Sequence, residues 1–352
     1  MQTTDNKLHS EKLHSEPTVS VIIPSYNCDR YIVQAIESVL MQEGCTYEII
    51  VIDDGSTDST EEVLAPYRQR IRYIKQKNQG VAAARNHGIA VAKAGLIAFL
   101  DADDYFFPGK LASQARILMK RPDVGMVHSG WQRVDAQGNK LLDVCPWKNI
   151  PELDLENWLR WKPVLPSAMM FRREWLQYVG GFDPRFPPAE DTNLVLKLAL
   201  KGCKTVWLRQ ITVYYRQHTE SAMHKGLPQA RSLWAVTEDF FSQPNIPSQI
   251  RLMEQSVRYG TLIWIAWYLN YTGHKKETIE YLKQAWHYRS NSGMETIVSW
   301  IESFAEFSRN WGVKFDANSL TSSPEWQKLV RWSINISNKS IESEPTQDRI
   351  GV

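Results

Sequence analysis

Short strand-like runs alternate with helical patterns over the first third of the chain. The runs are Val19–Ile23, Glu48–Ile52, Arg72–Ile74 and Leu96–Leu100, and segments with apolar residues at helical spacing separate them. Strands that alternate with helices in this way form a mostly parallel sheet with helices on both faces. The alternation therefore predicts an α/β fold built on a Rossmann-like sheet.

Composition and charge exclude several classes of protein. Hydrophobic residues make up 43% of the 352-residue chain, which is too apolar for a disordered protein. The formal net charge of +2 gives no general attraction to nucleic acid. No stretch reaches the roughly 18 apolar residues of a membrane-spanning helix, and the first residues lack the apolar core of a signal peptide. We therefore expect a cytoplasmic protein and leave open a peripheral attachment at the inner face of the membrane.

The pattern changes twice along the chain. Beyond about Val124 the regular alternation ends, and from Leu227 onward only helical patterns occur. All 14 tryptophans lie at or after Trp131, so we expect the parts of the chain before and after this residue to form different kinds of surface. We predict a domain at 18–225 with halves at 18–123 and 124–225, a helical region at 226–337, and disordered tails at 1–17 and 338–352.

Polar and acidic side chains follow three of the four predicted strands. The segments are Pro24-Ser25-Tyr26-Asn27, Asp53-Asp54-Gly55-Ser56 and Asp101-Ala102-Asp103-Asp104. Ligands of an open parallel sheet bind outside the carboxyl ends of its strands. A single acid at a strand end is often only a turn former. Five carboxylates on one rim repel each other unless a cation or hydrogen-bond donors compensate, so the set indicates a binding site.

The third acidic segment suggests a metal site. In an extended chain alternate residues face the same way, so Asp101 and Asp103 are expected on one face and Asp104 elsewhere. Two carboxylates suit a hard divalent cation such as Mg²⁺ or Mn²⁺ and leave coordination positions open for substrate phosphates. Such an ion neutralises the charge that develops on a departing diphosphate.

The three segments, in this order and spacing, resemble a family 2 glycosyltransferase with the GT-A fold over roughly Thr18 to His218. The resemblance implies a nucleotide-sugar donor, usually a UDP-sugar, and inversion at the anomeric carbon of the sugar. It implies that the first half of the domain binds the donor and the second half binds the acceptor. The expected acceptor is a hydroxyl of a glycan, a lipid-linked molecule or a protein, as in the synthesis of cell-surface polysaccharide, lipopolysaccharide or another glycoconjugate.

The resemblance also assigns residues to nucleotide-sugar binding: Pro24, Tyr26, Asp54, Arg85, Asp101 and Asp103. Pro24 and Tyr26 are expected against the nucleobase, with Asp54 hydrogen-bonded to it. Arg85, in Gly80-Val81-Ala82-Ala83-Ala84-Arg85-Asn86, matches a family arginine near the nucleotide. Asp103 is expected to bind the metal directly, and Asp101 to lie near the ribose and the metal. The alternative for Arg85 is a solvent-facing helix charge.

Glu190 and Asp191 open a predicted helix, where the family places its catalytic base. The resemblance makes Asp191 the base and Glu190 its neighbour or an acceptor contact. The alternative is that acids in a first helical turn only favour the helix dipole, by about 0.3–1 kcal/mol. His218 lies in a segment that resembles the family's late loop, where a histidine reaches the metal or the diphosphate. An ordinary surface histidine is the alternative there.

Processive relatives carry a Gln-x-x-Arg-Trp motif, and the nearest string, Gln327 to Trp332, is one residue too long. We therefore expect transfer of one sugar per encounter. A nucleotidyltransferase is an alternative, although Ser25 to Cys28 lacks the glycines of its phosphate loop. A catalytically silent nucleotide-binding scaffold with a helical partner-binding end is another. The segment Leu262 to Ala285 resembles a tetratricopeptide hairpin, and its aromatic residues leave a subunit or peripheral membrane contact open.

Overall fold

The structure is a computed structural model that describes residues 17–219, 221 and 226–342, with side chains to residue 336. Contacts divide the chain into two compact units, 1–221 and 222–352. The predicted tail at 1–17 lies outside the described residues except for Pro17, and the backbone is helical to Glu342 where a tail is predicted from Asn338. The predicted domain boundary after residue 225 stays a prediction.

Four parallel strands form one side of the sheet in the first unit. They are β1 (Val19–Ser25), β2 (Tyr47–Asp53), β3 (Arg72–Lys75) and β4 (Leu96–Phe99), in the order β3-β2-β1-β4. The helices between them are α1 (Ile32–Leu40), α2 (Thr60–Val63) and α3 (Val81–Val91). β1 is buried along its whole length, as its run of aliphatic residues predicts.

Helix α3 lies in direct contact with β1. A Cβ atom on Gly88 would lie 2.3 Å from Ile22 Cγ2, so only glycine allows this approach without a shift. Ala82, Ala84 and Gly88 are buried on the same helix. Small residues therefore set the depth at which α3 packs on the sheet.

From Tyr105 onward this unit extends the sheet with mixed strand directions. Its elements are β5 (Tyr105–Phe106), α4 (Lys110–Lys120), β6 (Met126–Val134), β7 (Lys140–Val144), α5 (Leu155–Trp161), β8 (Met169–Arg172), α6 (Arg173–Tyr178), α7 (Glu190–Leu200) and β9 (Thr205–Arg216). The full order is β3-β2-β1-β4-β8-β6-β9-β5, with β7 paired to β6. β8 is antiparallel to β4 and β6, whereas β9 is parallel to β6. The predicted parallel arrangement therefore holds for β1 to β4, and the strands from β5 onward have mixed directions.

The second unit is helical, as the sequence pattern predicts. Its helices are α8 (Leu227–Ser242), α9 (Ser248–Arg251), α10 (Glu254–Tyr271), α11 (Lys275–Trp286), α12 (Gly293–Trp311), α13 (Ala317–Thr321) and α14 (Pro324–Glu342). Its core contains the buried side chains of Trp267, Trp286, Trp300 and Trp326. Within the described part of the chain, no helix combines the length and the apolar character that crossing a membrane requires.

Candidate active site

The loops after β1 and β2 form one hydrogen-bonded unit at the carboxyl end of the sheet. Ser56 donates from its backbone N–H to Asp53 Oδ1 (2.8 Å), and its Oγ accepts from the backbone N–H of Asn27 (2.9 Å). Asn27 has φ 51°, a region that asparagine tolerates well, and its Oδ1 accepts from Thr57 N–H (2.9 Å). These bonds hold together the loops after β1 and β2, whose residues are expected to contact the nucleobase.

Asp54 is buried directly after β2 and holds the loop that leads into α3. Its Oδ1 accepts from the side-chain amide of Gln76 (2.7 Å) and the backbone N–H of Gln79 (2.9 Å). Its Oδ2 accepts from the backbone N–H of Gly80 (2.7 Å). Because a carboxylate offers about four lone-pair sites, Asp54 retains capacity for a further donor such as a nucleobase N–H.

Tyr26 and Pro24 lie at the adjacent end of β1. Tyr26 is 50% exposed, and its ring is open to a planar ligand. Pro24 is part of the buried strand and pairs in register with Ile52. Contact of these two residues with a nucleobase stays a prediction.

Asp101 to Asp104 form a turn, because the backbone N–H of Asp104 donates to the carbonyl of Asp101 (3.0 Å). The expectation that this segment is extended, with alternate residues on one face, is therefore wrong. The chain turns immediately after β4 and does not continue as a strand. The side chains of Asp101 and Asp103 are nevertheless both partly exposed, at 27% and 28%, whereas Asp104 is buried.

Asp104 is buried, and its side chain holds this turn in place through two hydrogen bonds. Its Oδ2 accepts from Ser167 Oγ (2.8 Å), and its Oδ1 accepts from the backbone N–H of Arg216 (3.0 Å). Ser167 Oγ also accepts from the Asp101 N–H (3.1 Å), and Arg216 Nε donates to the Asp103 carbonyl (3.0 Å). Burial, with Asp103 and Asp101 nearby, raises the pKa of Asp104 well above its usual value. The buried network thus fixes both ends of the turn.

His218 lies beside the turn and is largely covered. Its Nε2 is 3.0 Å from Asp103 Oδ2, and its ring centroid is 5.1 Å from that of Tyr31. The side chain is only 14% exposed, so His218 is not an ordinary surface histidine. Its function in the site stays a prediction.

Few side chains at this rim could bind a metal ion among the residues that the structure describes. Among residues 17–219, 221 and 226–342, no group of three or more His, Cys, Asp or Glu side chains is arranged to hold a metal ion. Asp103 and His218 offer one carboxylate oxygen and one imidazole nitrogen. Such a set fits a Mg²⁺ or Mn²⁺ ion that takes most of its ligands from substrate phosphates and water.

Arg85 joins the acidic turn to the start of α7. Its Nη2 is 2.7 Å from Asp101 Oδ1 and its Nη1 is 2.6 Å from Glu190 Oε1. Arg85 is 4% exposed and Glu190 is 3% exposed. Arg85 is therefore not a solvent-facing helix charge, and Glu190 faces inward toward the guanidinium.

Asp191 lies in the first turn of α7, next to Glu190. The residue is partly exposed, and its Oδ1 accepts from the backbone N–H of Thr192 (2.6 Å). Burial and then the Glu190 carboxylate raise the pKa of Asp191 to about 7, against the opposing effect of Arg85. A general base is most efficient when its pKa lies near the working pH. Whether Asp191 acts as the base stays a prediction.

Sequence reasoning missed two residues that organise the site, Asn86 and Arg216, and it named Asp104 in the acidic segment without giving it a role. Asn86 hydrogen-bonds the backbone of Phe182, 96 residues away, and Arg216 contacts Asp103, 113 residues away. The only signal in the sequence is position, because Asn86 follows Arg85 and Arg216 precedes His218 by two residues. Pairings over such separations are not visible in one sequence.

The family model described as glycosyl transferase family 2 matches residues 20–180. An uncharacterized glycosyltransferase of Rickettsia prowazekii is 30% identical over 229 residues, which cover 62% of this chain and 71% of that protein. Chondroitin synthase of Escherichia coli is 31% identical over 205 residues, which cover 56% of this chain and 28% of that protein. The chain spans about a fifth to a quarter of the length of several other curated relatives.

Two solved structures share the fold. S. aureus TarS 1-349 in complex with UDP-GlcNAc superposes with a TM-score of 0.57 at 16% identity and covers 92% of each chain. Mannosyltransferase PcManGT from Pyrobaculum calidifontis, in complex with GDP-Man and Mn²⁺, gives a TM-score of 0.56 at 17% identity, covering 93% of this chain and 88% of that one. The expected GT-A fold with a helical C-terminal region is confirmed.

Proposed function

The chain belongs to glycosyltransferase family 2, and from this we propose that it transfers a single sugar from a nucleotide-sugar donor to an acceptor hydroxyl, with inversion at the anomeric carbon. One observation carries the proposal. A single buried guanidinium, that of Arg85, contacts both Asp101 of the acidic turn and Glu190 beside Asp191. Groups suited to a diphosphate and a group suited to proton abstraction therefore belong to one connected site.

The proposed donor is a nucleotide-sugar, and a UDP-sugar first. The structures of S. aureus TarS 1-349 and PcManGT described above are complexes with UDP-GlcNAc and GDP-Man, so both of those proteins bind nucleotide-sugars. In this chain, Asp54 retains acceptor capacity for a base N–H, and the exposed ring of Tyr26 offers a stacking surface. Pro24 lies on the same strand end. These residues support nucleobase binding.

We propose that Asp103 and His218, with Asp101 adjacent, hold a divalent cation together with the diphosphate of the donor. The 3.0 Å separation of Asp103 Oδ2 and His218 Nε2 brings an oxygen and a nitrogen donor to one point of the rim. When bound, such an ion neutralises negative charge on the leaving diphosphate. The bonds from Arg216 N to Asp104 Oδ1 and from Arg216 Nε to the Asp103 carbonyl hold the backbone of the turn that carries Asp103.

Asp191 is the proposed general base. Its carboxylate accepts the proton of the acceptor hydroxyl while that oxygen forms a bond to the anomeric carbon. The bond between the anomeric carbon and the diphosphate oxygen breaks, and the nucleoside diphosphate leaves with the bonding electrons. Attack from the side opposite the leaving group inverts the configuration. A pKa of about 7 keeps a substantial deprotonated fraction of Asp191 at neutral pH.

Transfer of one sugar per encounter is part of the proposal. The string from Gln327 to Trp332, the nearest to the motif of processive enzymes, is one residue too long and lies on α14 of the helical unit. The acceptor is proposed to be a hydroxyl of a glycan, a lipid-linked molecule or a protein. The helical unit is proposed to contact a subunit or a membrane surface, and Tyr271, at 39% exposed, is one aromatic side chain available for such a contact.

The test is a thermal-shift panel of UDP- and GDP-sugars with and without Mn²⁺, followed by assays of nucleotide release from the donors that bind. A donor that binds the native state raises the melting temperature. We expect a UDP-sugar to bind, metal-dependent UDP release, and loss of that release in Asp103→Ala. Asp123→Ala, at an exposed ion pair of the same unit, is the matched control and should keep full activity.

Three outcomes count against parts of this proposal. Full turnover in the presence of a chelator removes the metal from it. Binding of donors without any release or transfer favours the silent scaffold. Release of pyrophosphate from a nucleoside triphosphate favours the nucleotidyltransferase.

A further inference from the structure

Two adjacent residues of α3 reach across to the segment that carries the proposed base. Arg85 contacts Asp101 and Glu190, as described above. Asn86 makes a pair of hydrogen bonds with the backbone of Phe182: its Nδ2 donates to the carbonyl (2.8 Å), and its Oδ1 accepts from the N–H (2.8 Å). The side chain of Asn86 thus binds residue 182 as a neighbouring strand would.

The loop at residues 181–182 is held from several sides. The guanidinium carbon of Arg85 lies 5.1 Å from the centroid of the Phe182 ring, which packs edge-on against Phe99 of β4. Lys197 of α7 donates from Nζ to the carbonyl of Gly181 (2.7 Å). The loop therefore connects α3, the sheet and the helix that begins with Glu190 and Asp191.

Gly181 shows how closely Asn86 approaches this loop. A Cβ atom on Gly181 would lie 2.3 Å from Asn86 Oδ1, and the residue has φ 68°. Gly180 also has a positive φ, 77°, but a Cβ atom there would meet nothing within 4 Å. The two glycines share the backbone constraint, and only Gly181 makes room for Asn86.

Arg85 presents little accessible surface to a ligand. Both of its terminal nitrogens bind carboxylates, its side chain is 5% exposed, and its Nε is buried without a hydrogen-bond partner. A planar guanidinium can hold two carboxylates in a fixed geometry, which the single ammonium of lysine cannot reproduce. This arrangement suits a residue that sets the position of others.

We propose that Arg85 and Asn86 are positioning residues that fix the start of α7, and with it Asp191, relative to the turn at Asp101 to Asp104, and that Arg85 does not bind the donor. The inference rests on the proposed function, since it needs a reaction whose base and diphosphate site must be aligned. Misplacement of reacting groups by about 1 Å costs about 10²-fold in rate. Loosening either contact should therefore lower turnover and leave donor binding intact.

The first test compares Arg85→Lys and Asn86→Ala with the wild-type protein. We expect kcat to fall about 10- to 100-fold in Arg85→Lys and less in Asn86→Ala. The Kd for UDP with Mn²⁺, measured by calorimetry, should stay within about threefold of wild type in both. Arg121→Ala, which removes an exposed guanidinium paired with Asp123, is the control and should change neither quantity.

The second test uses Gly180 and Gly181. It changes none of the side chains that are proposed to bind the donor or to act as the base. Gly181→Ala should lower kcat as Asn86→Ala does, because the new methyl group displaces the Asn86 amide. Gly180→Ala carries the same positive-φ strain without the clash and should keep kcat near wild type while losing a similar amount of stability. Melting temperatures separate the effect on stability from the effect on rate.

The wild-type protein serves as the reference that separates this inference from the proposed function. If wild type releases UDP from a bound donor and Arg85→Lys loses UDP affinity in parallel with kcat, Arg85 is a donor ligand and the inference is overturned. Equal rates in Gly181→Ala and Gly180→Ala overturn it for Asn86. A fall in kcat with UDP affinity kept, and a slower Gly181→Ala than Gly180→Ala, support it.

Discussion

The two units of the molecule bury different kinds of polar side chain. Among residues 17–219 and 221 of the first unit, the buried charged residues are Asp53, Asp54, Arg85, Asp104, Lys110, Arg133, Glu190 and Arg216. In the described part of the second unit the buried polar residues are serines and threonines, namely Ser232, Thr237, Thr261, Thr278, Thr296, Ser308 and Ser333. The second unit fills its interior with aromatic rings, such as Trp286 and Trp300, whose centroids are 6.0 Å apart.

This difference supports the assignment of the proposed active site to the first unit. Removing a charge from water costs several kcal/mol unless partners compensate, so a fold that needs only stability avoids it. In the first unit the buried charges at the rim are paired, Arg85 with Glu190 and Asp104 with the backbone of Arg216. In the described part of the second unit, small hydroxyls are satisfied by nearby carbonyls, as the bond from Thr278 Oγ1 to the His274 carbonyl shows.

The largest expected effect follows from a change in the first unit, at the proposed base Asp191. Asp191→Asn should lower kcat for transfer by about 10²–10⁴-fold, because an amide cannot accept the proton of the acceptor hydroxyl. UDP affinity, measured by calorimetry, should stay close to that of wild type. In wild type, kcat/KM should rise with pH toward about 7 and then level off, since Asp191 must lose its proton to act as a base.

The control for this variant is Asp123→Asn, which removes an equal charge from an exposed position paired with Lys204. It should leave both the rate and the pH profile unchanged. Turnover of Asp191→Asn equal to that of wild type would remove Asp191 from the mechanism.

The next effect tests the aromatic interior of the helical unit. Trp300→Ala should lower the free energy of unfolding by about 3–5 kcal/mol, because the fully buried ring leaves a cavity between Trp286 and Trp326. Urea unfolding followed by fluorescence measures this loss. UDP affinity of the folded variant should be unchanged, since the proposed donor ligands belong to the first unit.

Trp300→Phe is the matched variant. The indole Nε1 of Trp300 is buried without a hydrogen-bond partner, so phenylalanine keeps an aromatic ring and loses no bond. Its cost should be below about 1.5 kcal/mol. A cost equal to that of Trp300→Ala would contradict this, because it would mean that a phenyl ring recovers none of the packing of the indole.

The smallest effect concerns a buried charge away from the rim. Lys110 is buried, its Nζ donates to Gln114 Oε1 (2.7 Å) and lies 4.3 Å from the centroid of the Phe106 ring. Burial lowers the pKa of Lys110 to about 7 from 10.5. The unfolded chain therefore binds more protons between these values, and this group makes stability rise with pH from about 7 to about 10.5.

Lys110→Met should reduce this rise of stability with pH. The free energy of unfolding at pH 7 should change by no more than about 1–2 kcal/mol, because removing the buried charge offsets the lost hydrogen bond. Urea unfolding at several pH values gives the slope. Lys120→Met, at the exposed end of the same helix, should keep the slope of wild type. An equal slope in Lys110→Met and wild type would show that Lys110 does not titrate in this range.

The strands at the rim were predictable because their signals are local. The aliphatic run at Val19–Ile23 is a buried strand, and Glu190 opens a helix as expected. Asp101, Asp103 and Asp191 were singled out by motif. Whether these residues act as assigned stays a prediction.

What the sequence could not provide is the set of long-range contacts that link those motifs. The bond from Arg85 to Glu190 joins residues 105 positions apart, and the bond from Arg216 to Asp104 joins residues 112 apart. The geometry at Asp101 to Asp104 was missed for a different reason, because the strand ends one residue earlier than its apolar run suggests and the backbone closes a turn.

The absence of a side chain on Gly88 has a consequence for enzyme engineering. Gly88 follows Arg85 by three residues and lets α3 rest directly on Ile22. A substitution to alanine, commonly chosen to strengthen helices, would lift the whole helix from the strand and carry the guanidinium with it. Attempts to improve the thermal tolerance of this scaffold should therefore begin at the helical unit and leave α3 as it is.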